Sequence, residues 1–303
     1  MQTAESWDDF LEWRKRLEGR YGFRGQKDAR WDLSASIDRV LLVSGRSQWT
    51  SYTIQEDSLN YEPDLLFEYQ QHAHHFISNL PAETDLVSWL ALMQHHGTPT
   101  RLLDCTTSSH VAAYFAVEEK CERAAIWAID LAWLEDKGNE LLQRSGQKPF
   151  SNLRRHRAYY VNRFLRKAGS PEQPKMLVKV EPKRTDAWMM NQNGFFLVKS
   201  WNKPSVSQLL MSMIIHPTIT DGPVVRKLEI PGDLRFEFLR NLQSVNIHRG
   251  SLFPDLDGFS RALRLKLEIQ MDNLRENHDK AALDFDVTLL RQADQRRANE
   301  NSE

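Results

Sequence analysis

The sequence has little cysteine, with Cys105 and Cys121 as its two thiols in 303 residues. Two cysteines cannot build the disulfide framework that holds together small secreted proteins. This scarcity favours a reducing compartment, and we expect a cytoplasmic protein.

Glycine, proline and long apolar runs are also scarce. Thirteen glycines and 12 prolines are too few for a collagen-like or low-complexity chain. No run of about 18 apolar residues is present, and the mean hydropathy is −0.57. The first residues include acids and tryptophans where a signal peptide would be apolar. We therefore expect no signal peptide and no membrane partner.

An excess of charge of one sign is lacking as well. Forty Lys and Arg residues stand against 41 Asp and Glu residues, which gives a formal net charge of −1. This balance excludes a globally basic nucleic-acid coat and a strongly acidic disordered tail. Hydrophobic residues make up 41% of the chain, which is enough to build a buried core.

Hydrophobic periodicity predicts helices and strands that do not alternate regularly. The predicted helices cover 6–18, 63–80, 86–96, 111–119 and 234–242, with one or two more in 259–303. The predicted strands cover 21–26, 124–129, 175–180, 195–199 and 224–230, and 44–60 is predicted to be a polar loop. Strands and helices mixed in this way predict an α+β fold.

The most unusual stretch is residues 94–107, which places two histidines, an arginine, an aspartate and several threonines between apolar segments. Gly97 is a suitable end for the preceding helix, and Pro99 favours an extended chain before it. Polar groups are thereby presented at the end of an element, where functional sites are common. Arg101 and Asp104 could instead pair with each other.

Arg24 is the second unusual residue, because Phe23 and Gly25 flank it closely. Arginine has a planar fork of donors that suits phosphate or carboxylate. A glycine beside it allows a ligand or another backbone to approach. The alternative is a structural pair between Arg24 and a carboxylate.

These segments together resemble the FRG domain family, named for its (F/Y)RG motif. The family's hallmark, QHYGLPTRLLDWT, reads QHHGTPTRLLDCT at residues 94–106. Further similar positions are Trp31, Leu33 and Arg39, Phe115–Val117, Gln192–Phe196 and Leu252–Gly258. The resemblance implies an FRG domain over residues 6–260 and a helical C-terminal extension over 261–303. Many such proteins look like bacterial or phage-associated ones, which implies a role in phage defence or conflict.

The (F/Y)RG strand also looks like the first motif of Arg-type ADP-ribosyltransferases. That resemblance implies that NAD is the substrate and that Arg24 binds its phosphates. A carboxylate would then stabilise the oxocarbenium-like state formed as nicotinamide leaves. Thr106, Thr107 or Ser108 would provide the polar second motif. Four carboxylates remain open for this role: Asp104, Glu229, Asp255 and Asp257.

A polar pocket is therefore predicted around Arg24, residues 94–107 and Gln192. We predict catalytic roles for Arg24, His95 and Asp104. The residues predicted to bind the nucleotide are Arg24, Gly25, Gln94, Thr100, Arg101, Thr106 and Gln192.

Six of the ten histidines lie between residues 72 and 110. His72 and His75 have the spacing of neighbours on a helix, but no recognised metal-binding motif accompanies them. We therefore expect no metal. His95 is a candidate general base because it lies in the hallmark segment. Cys105 is expected to be a packing residue, since the family resemblance has Trp at that position.

Residues 141–171 form a basic stretch that lacks Asp and Glu and interleaves aromatics with its cations. This pattern suits nucleic-acid backbone and bases, and it equally suits a solvated helix face. The residues predicted to bind nucleic acid are Arg154, Arg155, Arg157, Arg163, Arg166 and Lys167.

Three functions remain open from the sequence. The first is a nucleotide- or NAD-using transferase or glycohydrolase. The second is a non-catalytic module that binds a nucleotide or nucleic acid and acts through a partner protein. The third is an interaction protein whose polar motif is a buried network. The C-terminal helices could bind a protein partner or a second copy of the chain, or could pack on their own domain.

Overall fold

The computed structural model describes residues 2–17, 19–44, 53–149, 161–166, 173–183, 187–200, 205–215, 224–275 and 277–278. It divides into two units, Met1–Arg235 and Phe236–Glu303. The domain boundary predicted between residues 260 and 261 stays a prediction. None of the described helices is long and apolar enough to cross a membrane.

One seven-stranded sheet forms the framework of the first unit, in the order β1-β7-β4-β2-β3-β6-β5. β1 pairs with β7 in parallel, and the other neighbours are antiparallel. This mixed sheet with helices confirms the predicted α+β class. The strands are β1 (Gln2–Thr3), β2 (Tyr21–Gln26), β3 (Leu102–Thr106), β4 (Arg123–Asp130), β5 (Leu177–Val180), β6 (Gly194–Lys199) and β7 (Val225–Pro231).

Helices connect these strands and also make up the described part of the second unit. Further helical residues are 161–166 and 256–275. The labelled helices are α1 (Trp7–Lys15), α2 (Ser36–Ser44), α3 (Thr53–His72), α4 (Leu86–His95), α5 (Ser109–Val117), α6 (Leu131–Arg144), α7 (Ala187–Asn191), α8 (Val206–Ile215), α9 (Arg235–Ser244) and α10 (Arg249–Leu252).

The helix ends follow ordinary capping chemistry. The Ser6 hydroxyl accepts a hydrogen bond from the Asp9 amide, as an N-cap should. Gly97 has a φ of 88° just after α4, which explains why glycine suits that end.

One part of the secondary-structure prediction is wrong. Residues 53–60 belong to α3, although they fall in the segment predicted to be a polar loop. Serine and threonine content suggested a loop, but local composition is a weak predictor that the surrounding structure can override. Residues 45–52 of the same segment lie outside the described residues.

The principal core of the first unit packs β3, β5 and β6 against α4, α6 and α8. Leu103, Met93 and Phe195 are among its fully buried members. Cys105 also belongs to this core, as expected for a packing residue.

On β2, Gly25 allows α5 to approach the sheet closely. A Cβ atom at this position would lie 1.9 Å from the Ala112 carbonyl oxygen and 2.7 Å from the Ala116 amide nitrogen, both of α5. Any larger residue would have to push the α5 backbone away from the sheet. The space beside Gly25 is therefore filled by another backbone, which was one of the two uses predicted for it.

The N-terminal helix is joined to α5 through His110. Its ring lies 5.5 Å from the ring of Phe10 and 5.8 Å from that of Trp7, measured between centroids. Burial, with a smaller contribution from the positive charge of Arg14, lowers the pKa of His110. The folded protein therefore favours the neutral imidazole.

We predict that His110→Phe reduces the loss of stability in mild acid. An unfolded histidine takes up its proton near pH 6.5, and His110 in the folded state does so at a lower pH. Stability provided by neutral His110 is thus present above about pH 6.5 and is lost as the pH falls through its folded pKa. Urea unfolding at pH 7.5 and 5.5 measures this loss in both proteins. Equal losses would contradict the prediction, since the other nine histidines are common to both.

Candidate functional site

Arg24 lies on β2, in the middle of the sheet. β2 pairs with β4 at six positions but with β3 only through Phe23 opposite Thr106, within the described strands. Next to that pair, the Arg24 side chain donates from Nη1 to the main-chain oxygen of Asp104 at 2.6 Å. The arginine thus bonds to β3 close to the point where the two strands share a backbone pair.

The charge of Arg24 is only partly balanced. Its Nη1 lies 3.8 Å from Asp104 Oδ2, and its side chain is 17% exposed. Its Nε is buried and has no hydrogen-bond partner in the described structure. Burial, followed by the nearby charge of Arg24, lowers the pKa of Arg39. Arg39 is itself held by a 2.6 Å hydrogen bond from its Nη1 to the Ser34 carbonyl.

The Asp104 carboxylate is positioned from its other side by Gln94. Gln94 Nε2 donates to Asp104 Oδ1 at 2.8 Å, and Thr100 Oγ1 donates to Gln94 Oε1 at 2.5 Å. Asp104 remains 65% exposed, so its carboxylate faces solvent while its orientation is fixed. We call Arg24, Arg39, Gln94, Thr100 and Asp104 the Arg24 cluster.

Thr100 also ties the hallmark segment to α2. Its amide donates to the Ser36 hydroxyl at 2.9 Å, and its carbonyl accepts from that hydroxyl and from the Ile37 amide, both at 3.1 Å. Thr100 is fully buried. These bonds place the N-terminal turn of α2, which carries Arg39, beside the segment that carries Asp104.

Arg101 pairs with Glu62, a residue that the sequence analysis did not consider. Its Nε donates to Glu62 Oε2, and its backbone amide donates to Glu62 Oε1 at 2.7 Å. Both side chains are at most 5% exposed. The ion pair therefore fastens α3 to the start of β3, and Arg101 does not pair with Asp104.

Thr106 and Gln192 are brought together, but through the backbone of Gln192. Thr106 Oγ1 donates to the Gln192 carbonyl at 2.6 Å and accepts from the Ser108 amide at 2.9 Å. The Ser108 hydroxyl in turn accepts from the Val111 amide and caps α5. Thr106 thus organises the turn between β3 and α5.

The His95 ring lies against Trp188 of α7, with 4.4 Å between ring centroids, and against His96 at 4.8 Å. Gln94, the preceding residue, supports Asp104. His95 thus follows a member of the Arg24 cluster in the sequence of α4, and its ring packs on Trp188 and His96. The catalytic role predicted for His95 stays a prediction.

Cys105 is unsuited to be a nucleophile. It is buried in the core, and burial raises the pKa of its thiol to about 12. The reactive thiolate is therefore negligible near neutral pH.

The four candidate carboxylates lie in different surroundings. Asp104 is the one that lies beside Arg24. Glu229 is bound by Lys227 at 3.0 Å and by Arg123 at 3.2 Å. Asp255 accepts from the Gly258 amide at 2.6 Å, and Asp257 pairs with Arg261 at 3.0 Å, both within the second unit.

Among the described residues, no group of three or more His, Cys, Asp or Glu side chains could hold a metal ion.

The basic stretch is only partly described. In the basic stretch, Arg163 and Arg166 are exposed on the helical segment 161–166. The other residues predicted to bind nucleic acid, Arg154, Arg155, Arg157 and Lys167, lie outside the described residues.

A cavity of about 290 Å³ opens near the start of β2. Tyr21, Phe23 and Thr107 line one part of it, and Arg14 and Lys179 are among its charged lining residues. None of its lining residues belongs to the Arg24 cluster.

Sequence reasoning missed three residues of this region. Arg39 was noted as a family position but not as a site residue, and Glu62 and Trp188 were not singled out. Glu62 and Trp188 meet their partners only through the fold, since Glu62 lies 39 residues from Arg101 along the chain and Trp188 packs on His95 of another helix. No local pattern could have found these contacts.

Comparison with known families places this region in a defined class. Residues 19–125 match the family model described as the FRG domain, so the chain contains an FRG domain. The match covers β2, the Arg24 cluster and α5. Searches of curated proteins and of solved structures each gave no match.

We predict that Arg101→Ala destabilises the fold by about 3–5 kcal/mol, because it leaves Glu62 buried without its partner. Replacing both residues, as Arg101→Met with Glu62→Leu, should recover much of this loss, since neither charge is then buried. Urea unfolding of the single and double variants measures the difference. A loss below about 1 kcal/mol for Arg101→Ala, as for an exposed pair, would contradict the prediction.

We predict that Cys105 resists thiol reagents in the native protein. The variant Cys121→Ser leaves Cys105 as the one remaining thiol. At pH 8 it should react only as fast as the protein unfolds, because the thiol is buried and has a raised pKa. Absorbance assays with and without urea compare the two rates. Fast reaction of the folded variant would show that the thiol is accessible.

Proposed function

We propose that the FRG domain uses NAD or a related nucleotide, with Arg24 binding a phosphate and Asp104 assisting cleavage of the glycosidic bond. The observation that carries the proposal is the state of the Arg24 guanidinium. Within the part of the chain that the structure describes, the guanidinium donates to a neutral carbonyl at 2.6 Å and lies 3.8 Å from a carboxylate oxygen. An arginine in this state retains attraction for an anion.

The balance of charge in the cluster supports an anionic ligand. Arg24 and Arg39 contribute two positive charges, and Asp104 contributes one negative charge, so the cluster is net positive. The pKa of Arg39 is lowered by burial and then by Arg24, which means that the two cations repel each other. A phosphate or pyrophosphate would relieve that repulsion and could accept paired hydrogen bonds from a guanidinium.

Asp104 has the properties that the chemistry needs from a carboxylate. Gln94 fixes one oxygen at 2.8 Å, and the side chain is 65% exposed. In the proposed reaction the bond between ribose C1′ and the nicotinamide nitrogen breaks, and nicotinamide leaves with the electron pair. The carboxylate stabilises the positive charge that develops on the ribose. Water or an acceptor nucleophile then bonds to C1′ and loses a proton.

The test measures nucleotide binding and turnover separately. Arg24→Ala should weaken the binding of NAD or ADP-ribose by about 10- to 100-fold, since a hydrogen bond to a charged group is lost. Asp104→Asn should retain binding but lower nicotinamide release by about 100-fold or more, because the developing charge loses its partner. Calorimetry and release of labelled nicotinamide provide the two measurements.

Arg30→Ala is the matched control for loss of an arginine. Arg30 is exposed and pairs locally with Asp28 at 2.8 Å, so its loss should leave binding and turnover unchanged. Nicotinamide release that is unchanged in both Arg24→Ala and Asp104→Asn would contradict the proposal. No binding of NAD by the wild-type chain, together with salt-dependent binding of RNA or DNA, would favour the non-catalytic nucleic-acid module instead.

A further inference from the structure

The helix over residues 256–275 carries a row of large apolar side chains that face solvent. Their side chains are between 48% and 79% exposed. They follow one another at intervals of three or four residues, which is the spacing of one helix face. We call this row the apolar stripe; it consists of Leu256, Phe259, Leu263, Leu267, Met271 and Leu274.

The opposite face of the same helix is already engaged within the second unit. Leu265 and Ile269 are buried. Arg240 Nη1 donates to Asp272 Oδ2 and to Asn273 Oδ1, both at 3.0 Å. At 100° per residue, Leu265 lies on the far side of the helix from the stripe. The stripe is therefore a second face, which the packing among the described residues of this unit does not use.

We propose that the apolar stripe binds the same stripe of a second copy of this chain in an antiparallel helix pair. The stripe is symmetric about the level of Leu265. An antiparallel pair would place Leu256 opposite Leu274, Phe259 opposite Met271 and Leu263 opposite Leu267, and each apolar side chain then meets another. The stripe shares no residue with the Arg24 cluster, and the proposal does not depend on the proposed nucleotide chemistry.

The charges beside the stripe select the antiparallel direction. One flank carries Asp257, Arg264, Glu268 and Arg275. With a rise of 1.5 Å per residue, the antiparallel pair places Arg264 within about 3 Å along the axis of Glu268 in the second copy, and Asp257 equally near Arg275. The two Arg264 residues also approach each other, and so do the two Lys266 residues of the other flank, so four attractions stand against two repulsions. Each Arg264 is in addition paired with a carboxylate of its own helix, since Arg264 Nε lies 3.2 Å from Glu268 Oε1.

A parallel pair is less favourable because it brings the two different flanks together. Lys266 of the other flank would then lie between Arg264 and Glu268, which gives one repulsion for each attraction. Asp257 and Arg275 would face the flank that carries Ala262 and Asn273, where neither finds an opposite charge. The charge pattern therefore matches a second copy in the antiparallel direction.

The first experiment measures the oligomeric state of the full chain by sedimentation equilibrium. The wild-type chain is expected to dimerise in the micromolar range. Leu263→Glu and Leu267→Glu should each raise the dimer dissociation constant by at least about tenfold, since a carboxylate would be buried in the apolar contact. Phe76→Glu is the matched control, because Phe76 is 85% exposed and lies in the first unit.

Thermal unfolding by circular dichroism checks that each variant folds. Leu263 and Leu267 are more than half exposed in the chain itself, so the glutamates should leave the fold intact. A wild-type monomer throughout the micromolar range would overturn the proposal. So would a dimer that Leu263→Glu and Leu267→Glu leave unchanged.

The second experiment determines the direction of the helices with a short bismaleimide cross-linker. Arg264→Cys is expected to cross-link two chains, because residue 264 lies within about 3 Å along the axis of its own copy in the antiparallel pair. Arg275→Cys should not, because its two copies are about 30 Å apart along the axis. The wild-type chain gives the background from Cys121. Cross-linking through residue 275 and not through 264 would overturn the antiparallel arrangement.

Discussion

The hydrogen bond from the Arg24 side chain to the Asp104 carbonyl is the interaction on which the site depends. It joins β2 to β3 where the two strands share a single backbone pair, and it holds a charged group inside the sheet. The carbonyl accepts one hydrogen bond from the guanidinium but does not neutralise its charge. The sheet therefore contains a positioned cation whose electrostatic interactions are incomplete.

The three residues of the Phe-Arg-Gly motif each meet a different structural need. Phe23 is buried, with its ring 6.4 Å from that of Trp13. Arg24 turns to the other face of the strand and reaches Asp104. Gly25 faces the same side as Phe23, where α5 approaches too closely for any side chain. The packing of Phe23 and Gly25 fixes the strand, and this fixes the direction in which Arg24 points.

The sequence predicted much of this region because its signals are local. Gln94, Thr100 and Asp104 lie within 11 residues of one another and join a network that also contains Arg24. The pocket predicted around them stays a prediction. The pairing of Arg101 with Glu62 could not be read in the same way. It depends on the position of α3 against β3, and part of α3 was predicted to be a loop. Contacts set by tertiary packing leave no pattern in a short window of sequence.

Two arginines of the FRG domain differ in the burial of their carboxylate partners, and this difference separates a structural arginine from one that is open to a ligand. Arg101 meets a carboxylate in a site that is sealed from solvent, so its charge is balanced even though its Nη1 lacks a described partner. Arg24 also has one unpartnered nitrogen, but its nearest carboxylate oxygen is 3.8 Å away and belongs to a solvated Asp104. Removing charge from Arg101 would chiefly cost folding energy. The charge of Arg24 is instead open to an anion that enters from solvent, which is the basis of the binding role proposed for Arg24.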